Sequence, residues 1–226
     1  VNSPWGQMKN KGASLTIADC TQSIGKTDLH MEDECIDFMV GSAHKFHGPT
    51  GCGFIAARDA DLWDLIQSPS MGGGQERGIR SGTLNSNSII QTGQVAKWLQ
   101  SNQSDYRAKL TSLKQSFEKG IMKKISAQII GETASRAPHI TSLYIPDVDN
   151  EAIIAAVNEK LAISSGSACT SHSIEPSHVI LAMTNDIDIA ESTIRVSFGW
   201  HNTQHEVEEA IELIADATNQ IRSFLS

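Results

Sequence analysis

Gly41-Ser42-Ala43-His44-Lys45-Phe46-His47-Gly48-Pro49-Thr50-Gly51 is the stretch on which the reading of this chain turns. Asp37-Phe38-Met39-Val40 precedes it and reads as a short strand, while Gly48-Pro49 marks a turn. Lys45 therefore stands between the end of a strand and a glycine-rich turn. A lysine held in that way suits an amine that condenses with a carbonyl group.

Upstream, Ser14-Leu15-Thr16-Ile17-Ala18 reads as a buried strand ending at Asp19, followed by Cys20-Thr21-Gln22-Ser23-Ile24-Gly25-Lys26. Two strands thus end in polar residues. In open α/β sheets ligands collect outside the carboxyl ends of the strands, so Asp19, Gln22, Ser42, His44 and Lys45 converge on one site. Far downstream, Cys169 lies in Ser164-Ser165-Gly166-Ser167-Ala168-Cys169-Thr170-Ser171, a run of small residues that suits a mobile nucleophile. The lysine and the cysteine together imply pyridoxal-phosphate sulfur chemistry. In that chemistry a carboxylate favours the protonated pyridine nitrogen, a part suited to Asp19. Gln22 is suited to donating to the phenolic oxygen, and Ser42 and His44 to reaching the phosphate.

These motifs, with Gly72-Gly73-Gly74-Gln75-Glu76-Arg77-Gly78-Ile79-Arg80-Ser81-Gly82-Thr83 and Ser192-Thr193-Ile194-Arg195-Val196-Ser197, resemble in content and order a cysteine desulfurase of the class V aminotransferase family. The resemblance implies an α/β protein of fold type I, the pyridoxal-phosphate transferase fold, here as the C-terminal part of the large mixed-sheet domain plus a smaller α+β domain. It implies Lys45 as the point of covalent attachment of pyridoxal 5'-phosphate, with Asp19, Gln22, Ser42 and His44 around the cofactor. Thr83 resembles the threonine that reaches the cofactor phosphate of a neighbouring subunit, which implies a homodimer. Arg195 resembles the arginine that grips the carboxylate of L-cysteine, a task for a planar fork of donors. Lys45, Cys169 and His44 form the implied catalytic set, with Cys169 attacking the substrate sulfur. An iron–sulfur scaffold or a thiolation relay is the implied acceptor. Family members also carry a long upstream segment, absent from these residues, so the chain reads as lacking the N-terminal part. A class V aminotransferase, a selenocysteine lyase and a non-catalytic dimerisation or binding remnant remain alternatives.

With 26 acidic against 18 basic residues the net charge is −8, which argues against a nucleic-acid surface. At 39% hydrophobic and 19% charged, with no apolar run long enough to cross a bilayer, the composition suits a cytoplasmic globular protein. Cys20, Cys35, Cys52 and Cys169 show neither C-x-x-C nor paired metal-ligand spacing, so they read as reduced thiols and no metal is expected.

The chain divides in this reading into a partial large cofactor-binding domain, residues 1–104, and a small C-terminal domain, residues 105–226, carrying the cysteine loop. Residues 53–57 read as a further strand. Residues 85–101 and 105–125 read as two successive helices, and Met71 to Gly82 as an anion-facing loop bearing Arg77 and Arg80. In the small domain, strands are expected near Ile129, over 140–145 and over 193–198. Asp149 caps a helix over 150–161, and Thr203-Gln204-His205-Glu206 is a capping box opening a helix to the C-terminus.

Overall fold

Residues 3–166 and 176–225 are described by a computed structural model of the chain. They fall into two compact units, Val1–Ser104 and Asp105–Ser226.

In the first unit, helix α1 (Pro4–Asn10) opens with the Ser3 hydroxyl accepting from the Gly6 amide and with Pro4 in its first turn, where a missing N–H costs nothing. Strand β1 (Ile17–Asp19), helix α2 (Met31–Glu34), strand β2 (Phe38–Ser42), a single 3-10 turn (Ala43–Phe46) and strand β3 (Gly53–Ala57) follow. The sheet order is β1-β2-β3, with β1 parallel and β3 antiparallel to β2. Asp19 pairs with Val40 and Ser42 with Gly53, so the polar ends of β1 and β2 open on the same edge. Ala18, Cys20 and Ile36 are buried beneath Trp5, Ile24, Leu29, Met31 and Met39. Gly41 is what lets the turn after β1 seat on β2. A Cβ there would meet Ile24 Cδ1 at 2.4 Å and the Phe54 ring at 2.9 Å, closer than real contacts allow.

A buried carboxylate ties this unit together. Asp37, 1% exposed, accepts from the Thr16 amide (2.8 Å) and hydroxyl (3.1 Å) and pairs with Lys9 of α1 (2.5 Å) and Arg58 just beyond β3 (3.1 Å). Burial pushes its carboxyl up, but the Lys9 and Thr16 hydrogen bonds and the Lys9 charge outweigh that and hold it below the ordinary range.

Helix α3 (Ser86–Lys124) runs without a break where two helices were expected. No proline interrupts residues 101–105, and the polar side chains there bond backward instead of capping a new helix. Ser101 Oγ donates to Lys97 O (3.3 Å) and Asn102 Nδ2 to Trp98 O (2.8 Å).

In the second unit, β4 (Gln128–Ile129), β5 (Ile140–Tyr144), α4 (Asn150–Val157), α5 (His178–Thr184), α6 (Ile187–Glu191), β6 (Thr193–Ser197) and α7 (Gln204–Leu225) form an antiparallel sheet in the order β4-β5-β6 with its helices. Leu110, Leu113, Phe117 and Ile121 of α3 are buried at helical spacing, as are Val207, Ile211 and Ile214 of α7. Glu118 is buried with Arg136 bidentate upon it (2.5 and 3.1 Å) and the Thr141 hydroxyl at 2.5 Å. Asp149 accepts from Ala152 N at 3.0 Å, and Thr203 and Glu206 close the capping box through bonds of 2.7 and 3.2 Å.

The Asp37 cluster makes a stability prediction. Because the folded-state pKa lies below the unfolded one, the stabilisation is complete above the ordinary carboxylate range of about 4 and is lost as pH falls through the folded-state value. Asp37→Asn leaves Lys9 without its anion and Arg58 with Asp59 alone, and should cost about 2 kcal/mol at pH 7. Urea unfolding from pH 7 to pH 3 checks this: the substituted chain should be weaker at pH 7 and less sensitive to acid. Equal midpoints at pH 7 would contradict it.

Candidate functional site

Parallel pairing continues one residue past β1, since Cys20 N donates to Val40 O at 2.9 Å. The chain then coils tightly, with Ser23 N and Ile24 N on Cys20 O and with Lys26 N and Thr27 N on Ser23 O (2.9 to 3.0 Å). At the end of β2 the turn is equally constrained. Ala43 N donates to Cys52 O (2.9 Å) and Gly48 N to Ala43 O (2.8 Å). A Cβ at Gly48 would lie 2.8 Å from Ala43 Cβ, so glycine is needed to close this turn. Ala43 and Phe46 are buried by it, which leaves His44 and Lys45 exposed.

The electrostatics are built from short-range partners. Hydrogen bonds from the Thr21 hydroxyl and then the Thr21 amide (2.9 Å) hold the Asp19 carboxyl below the usual carboxylate range. Asp19 is thus an exposed, firmly ionised carboxylate at the end of β1. Ser42 Oγ lies 2.9 Å from His44 Nδ1. Lys26, the last residue of the polar motif that follows β1, is 6% exposed, and its Nζ donates to Gln22 Oε1 at 3.3 Å. Burial, and after it the charge of Lys45, pushes its ammonium down to about 8. The spacing of Gln22 and Lys26, four residues apart, is the only sequence signal that links them.

Asp19, Gln22, Ser42, His44 and Lys45 therefore all stand on the polar ends of two adjacent strands in the first unit. Together they offer an amine, an ionised carboxylate, an amide and a hydroxyl–imidazole pair, a set suited to an anionic heterocycle bearing an aldehyde. Thr83 is in the same unit but on an exposed loop, just after Gly82. In that loop Arg77 and Arg80 are exposed, and each makes one local contact. Arg77 lies over the Trp63 ring (5.6 Å) and Arg80 Nη1 donates to Ser81 O (2.8 Å).

Arg195 belongs to the second unit, half-buried on β6, and no carboxylate pairs with it among the described residues. Its backbone exchanges bonds with Ser164: Arg195 N to Ser164 O at 2.6 Å and Ser164 N to Arg195 O at 3.2 Å. A Cβ on Gly166 would come within 3.9 Å of Arg195 Cβ and 4.0 Å of Ser177 Oγ. Gly166 thus lies close to both. Cys169 falls outside the described residues. Of the other cysteines, Cys20 is buried, and burial and then the Asp19 charge push its thiol up. Cys52 Sγ accepts from Thr92 Oγ1 at 3.4 Å. Among the described residues there is no group of three or more His, Cys, Asp or Glu arranged to hold a metal, and no helix is long and apolar enough to cross a membrane.

The parallel β1-β2 pair with antiparallel β3 has the mixed pairing of the sheet in the fold type I pyridoxal-phosphate transferase fold. Comparison with solved structures agrees: a NifS-like protein from Rickettsia africae superposes with a TM-score of 0.81 at 26% identity, covering 95% of this chain and 56% of that one. A second NifS-like protein gives 0.79 at 29% identity, covering 96% of this chain and 55% of that one. The family model for class-V aminotransferases matches residues 5–210, and the chain belongs to that family. Cysteine desulfurase IscS of Pseudomonas fluorescens is 34% identical over 218 residues, 96% of this chain and 53% of the relative. The protein of the same name from Anaeromyxobacter is 35% identical, over 96% of this chain and 54% of the relative. The chain spans about half the length of the curated relatives it matches.

The Asp19 environment is testable by itself. Carbon-detected NMR titration should find its carboxyl below the ordinary value of about 4, and Thr21→Val should move it upward by removing the hydroxyl bond. An ordinary value in the unsubstituted chain, or no movement on substitution, would contradict the assignment.

Proposed function

We propose that this chain is the cofactor-anchoring and sulfur-accepting part of a cysteine desulfurase, which converts L-cysteine to L-alanine and leaves a persulfide on Cys169. The observation that carries the reading is the polar edge of β1 and β2, where Lys45 stands exposed in the turn after β2 and the Asp19 carboxylate at the end of the paired strand is held ionised by Thr21. That donor set fits pyridoxal phosphate: Asp19 for the ring nitrogen, Gln22 for the phenolic oxygen, Ser42 and His44 for the phosphate, Lys45 for the aldehyde. When bound, this cofactor supplies a protonated ring that draws electron density from the α-carbon of the amino acid.

The chain's own residues then have distinct tasks. Lys45, as a free amine, takes the α-proton of the substrate. Arg195 holds the substrate carboxylate, and its lack of a carboxylate partner among the described residues favours that task. The Cys169 thiolate attacks the substrate sulfur: the S–S bond forms as the C–S bond breaks, and the carbon is reprotonated to give alanine. The thiol of Cys169 and the substrate cysteine together become a persulfide and alanine, so no outside oxidant or reductant is needed. His44, oriented by Ser42, relays a proton. The Ser164–Arg195 bridge supports this assignment, because it fixes the entry to the Cys169 segment beside the arginine. Thr83 on its exposed loop suits a reach into a second copy of the chain, so a homodimer is part of the proposal. An iron–sulfur scaffold or a thiolation protein is the proposed acceptor.

The test compares the native protein with its Cys169→Ser variant, supplied with pyridoxal phosphate and L-cysteine. Mass spectrometry should find an added sulfur on Cys169, absent from Cys20, Cys35 and Cys52, and the variant should lose alanine formation while its cofactor spectrum is retained. Keto-acid-dependent amino transfer without persulfide would replace this reading by that of an aminotransferase.

A further inference from the structure

Lys26 is a buried ionisable group that the proposed chemistry leaves unused. It is 6% exposed, and among the described residues no carboxylate pairs with it. Burying an ammonium without a counter-ion is costly, and an apolar side chain of similar length would fill the same space without that cost. Its burial and the repulsion from Lys45, which bring the ammonium down to about 8, show that the cost is felt. What the ammonium does make is one hydrogen bond within the motif, to Gln22 Oε1 at 3.3 Å.

That bond has a definite polarity. An ammonium carries only donors, whereas a carboxamide has one oxygen that accepts and one nitrogen that donates. The Gln22 oxygen must therefore face Lys26. Gln22 is an exposed residue in the turn after β1, so with its oxygen engaged the amide nitrogen is the end left for a ligand. Without Lys26 an exposed glutamine would turn either end outward, and rotamer freedom would be lost when a ligand selected one of them.

We propose that Lys26 is a positioning residue: by occupying Gln22 Oε1 it fixes the amide with both N–H groups outward, as a preset donor to the phenolic oxygen of pyridoxal phosphate. The inference rests on the cofactor reading given under Proposed function. It goes beyond that reading in assigning a role to a residue that touches no ligand.

The experiment measures pyridoxal-phosphate affinity and the pH titration of the cofactor's visible absorption band in the native protein, with melting temperature as the control for folding. Gln22→Leu should weaken binding about tenfold, as expected for loss of a hydrogen bond to a charged acceptor, and should shift the band's titration midpoint. Lys26→Met should reproduce both changes in the same direction, and the double variant should add nothing further, because the two side chains act as a unit. Lys26→Arg, still a donor, should restore the unsubstituted titration. A Lys26→Met protein that melts normally and titrates like the unsubstituted protein would overturn the inference, as would losses that multiply in the double variant. If Lys26→Met fails to fold, Gln22→Glu decides. It keeps an oxygen for Lys26 but turns a second oxygen outward, so affinity should fall as in Gln22→Leu without loss of melting temperature. Unchanged affinity in Gln22→Glu would overturn the inference. Absence of any visible band in the unsubstituted protein would overturn the cofactor reading and this inference together, whereas a normal band unmoved by Lys26→Met overturns this inference alone.

Discussion

The parallel pairing of β1 with β2 is the constraint from which the rest of the first unit follows. Parallel strands end on the same edge, so the residues that leave β1 after Asp19 and β2 after Ser42 emerge side by side. The pairing is held at one end by the buried Asp37 carboxylate, which gathers Thr16, Lys9 and Arg58, and at the other by the Cys20–Val40 backbone bond. Had β1 run antiparallel to β2, Asp19 and Lys45 would lie at opposite ends of the sheet.

Charge on that edge is arranged at short range. Thr21 holds Asp19 ionised, while Lys26 is buried and opposed by Lys45. Each partner lies within four residues of the group it acts on or on the neighbouring strand end, so the electrostatic character of the edge survives as long as the two turns do. Those turns depend on packing: Ile24 against Gly41, and Ala43 against Gly48. A methyl group at Gly41 would collide with Ile24 and Phe54, and one at Gly48 with Ala43.

How much of this was legible in the sequence depends on the range of the interaction that decides it. β3, the Asp149 cap and the Thr203–Glu206 capping box are local, and they lie where periodicity and capping residues put them. The polar ends of β1 and β2 were legible for the same reason. The continuity of α3 was not, because Ser101 and Asn102 are compatible with either a cap or a helix interior, and their backward bonds to Lys97 and Trp98 decide between the two. The contact of Arg77 with Trp63 was not legible, because the two lie apart in sequence. The burial of Lys26 was illegible for a related reason: it depends on how the turn after β1 folds onto the sheet, and a lysine in a short polar motif otherwise reads as surface.

The central claim is that Lys45 is the amine that holds the cofactor. Borohydride reduction of the native protein after addition of pyridoxal phosphate, followed by peptide mapping, tests it most directly. A stable pyridoxyl adduct is expected on Lys45. An adduct confined to Lys26 or to another lysine, in a protein that does take up the cofactor, would contradict it.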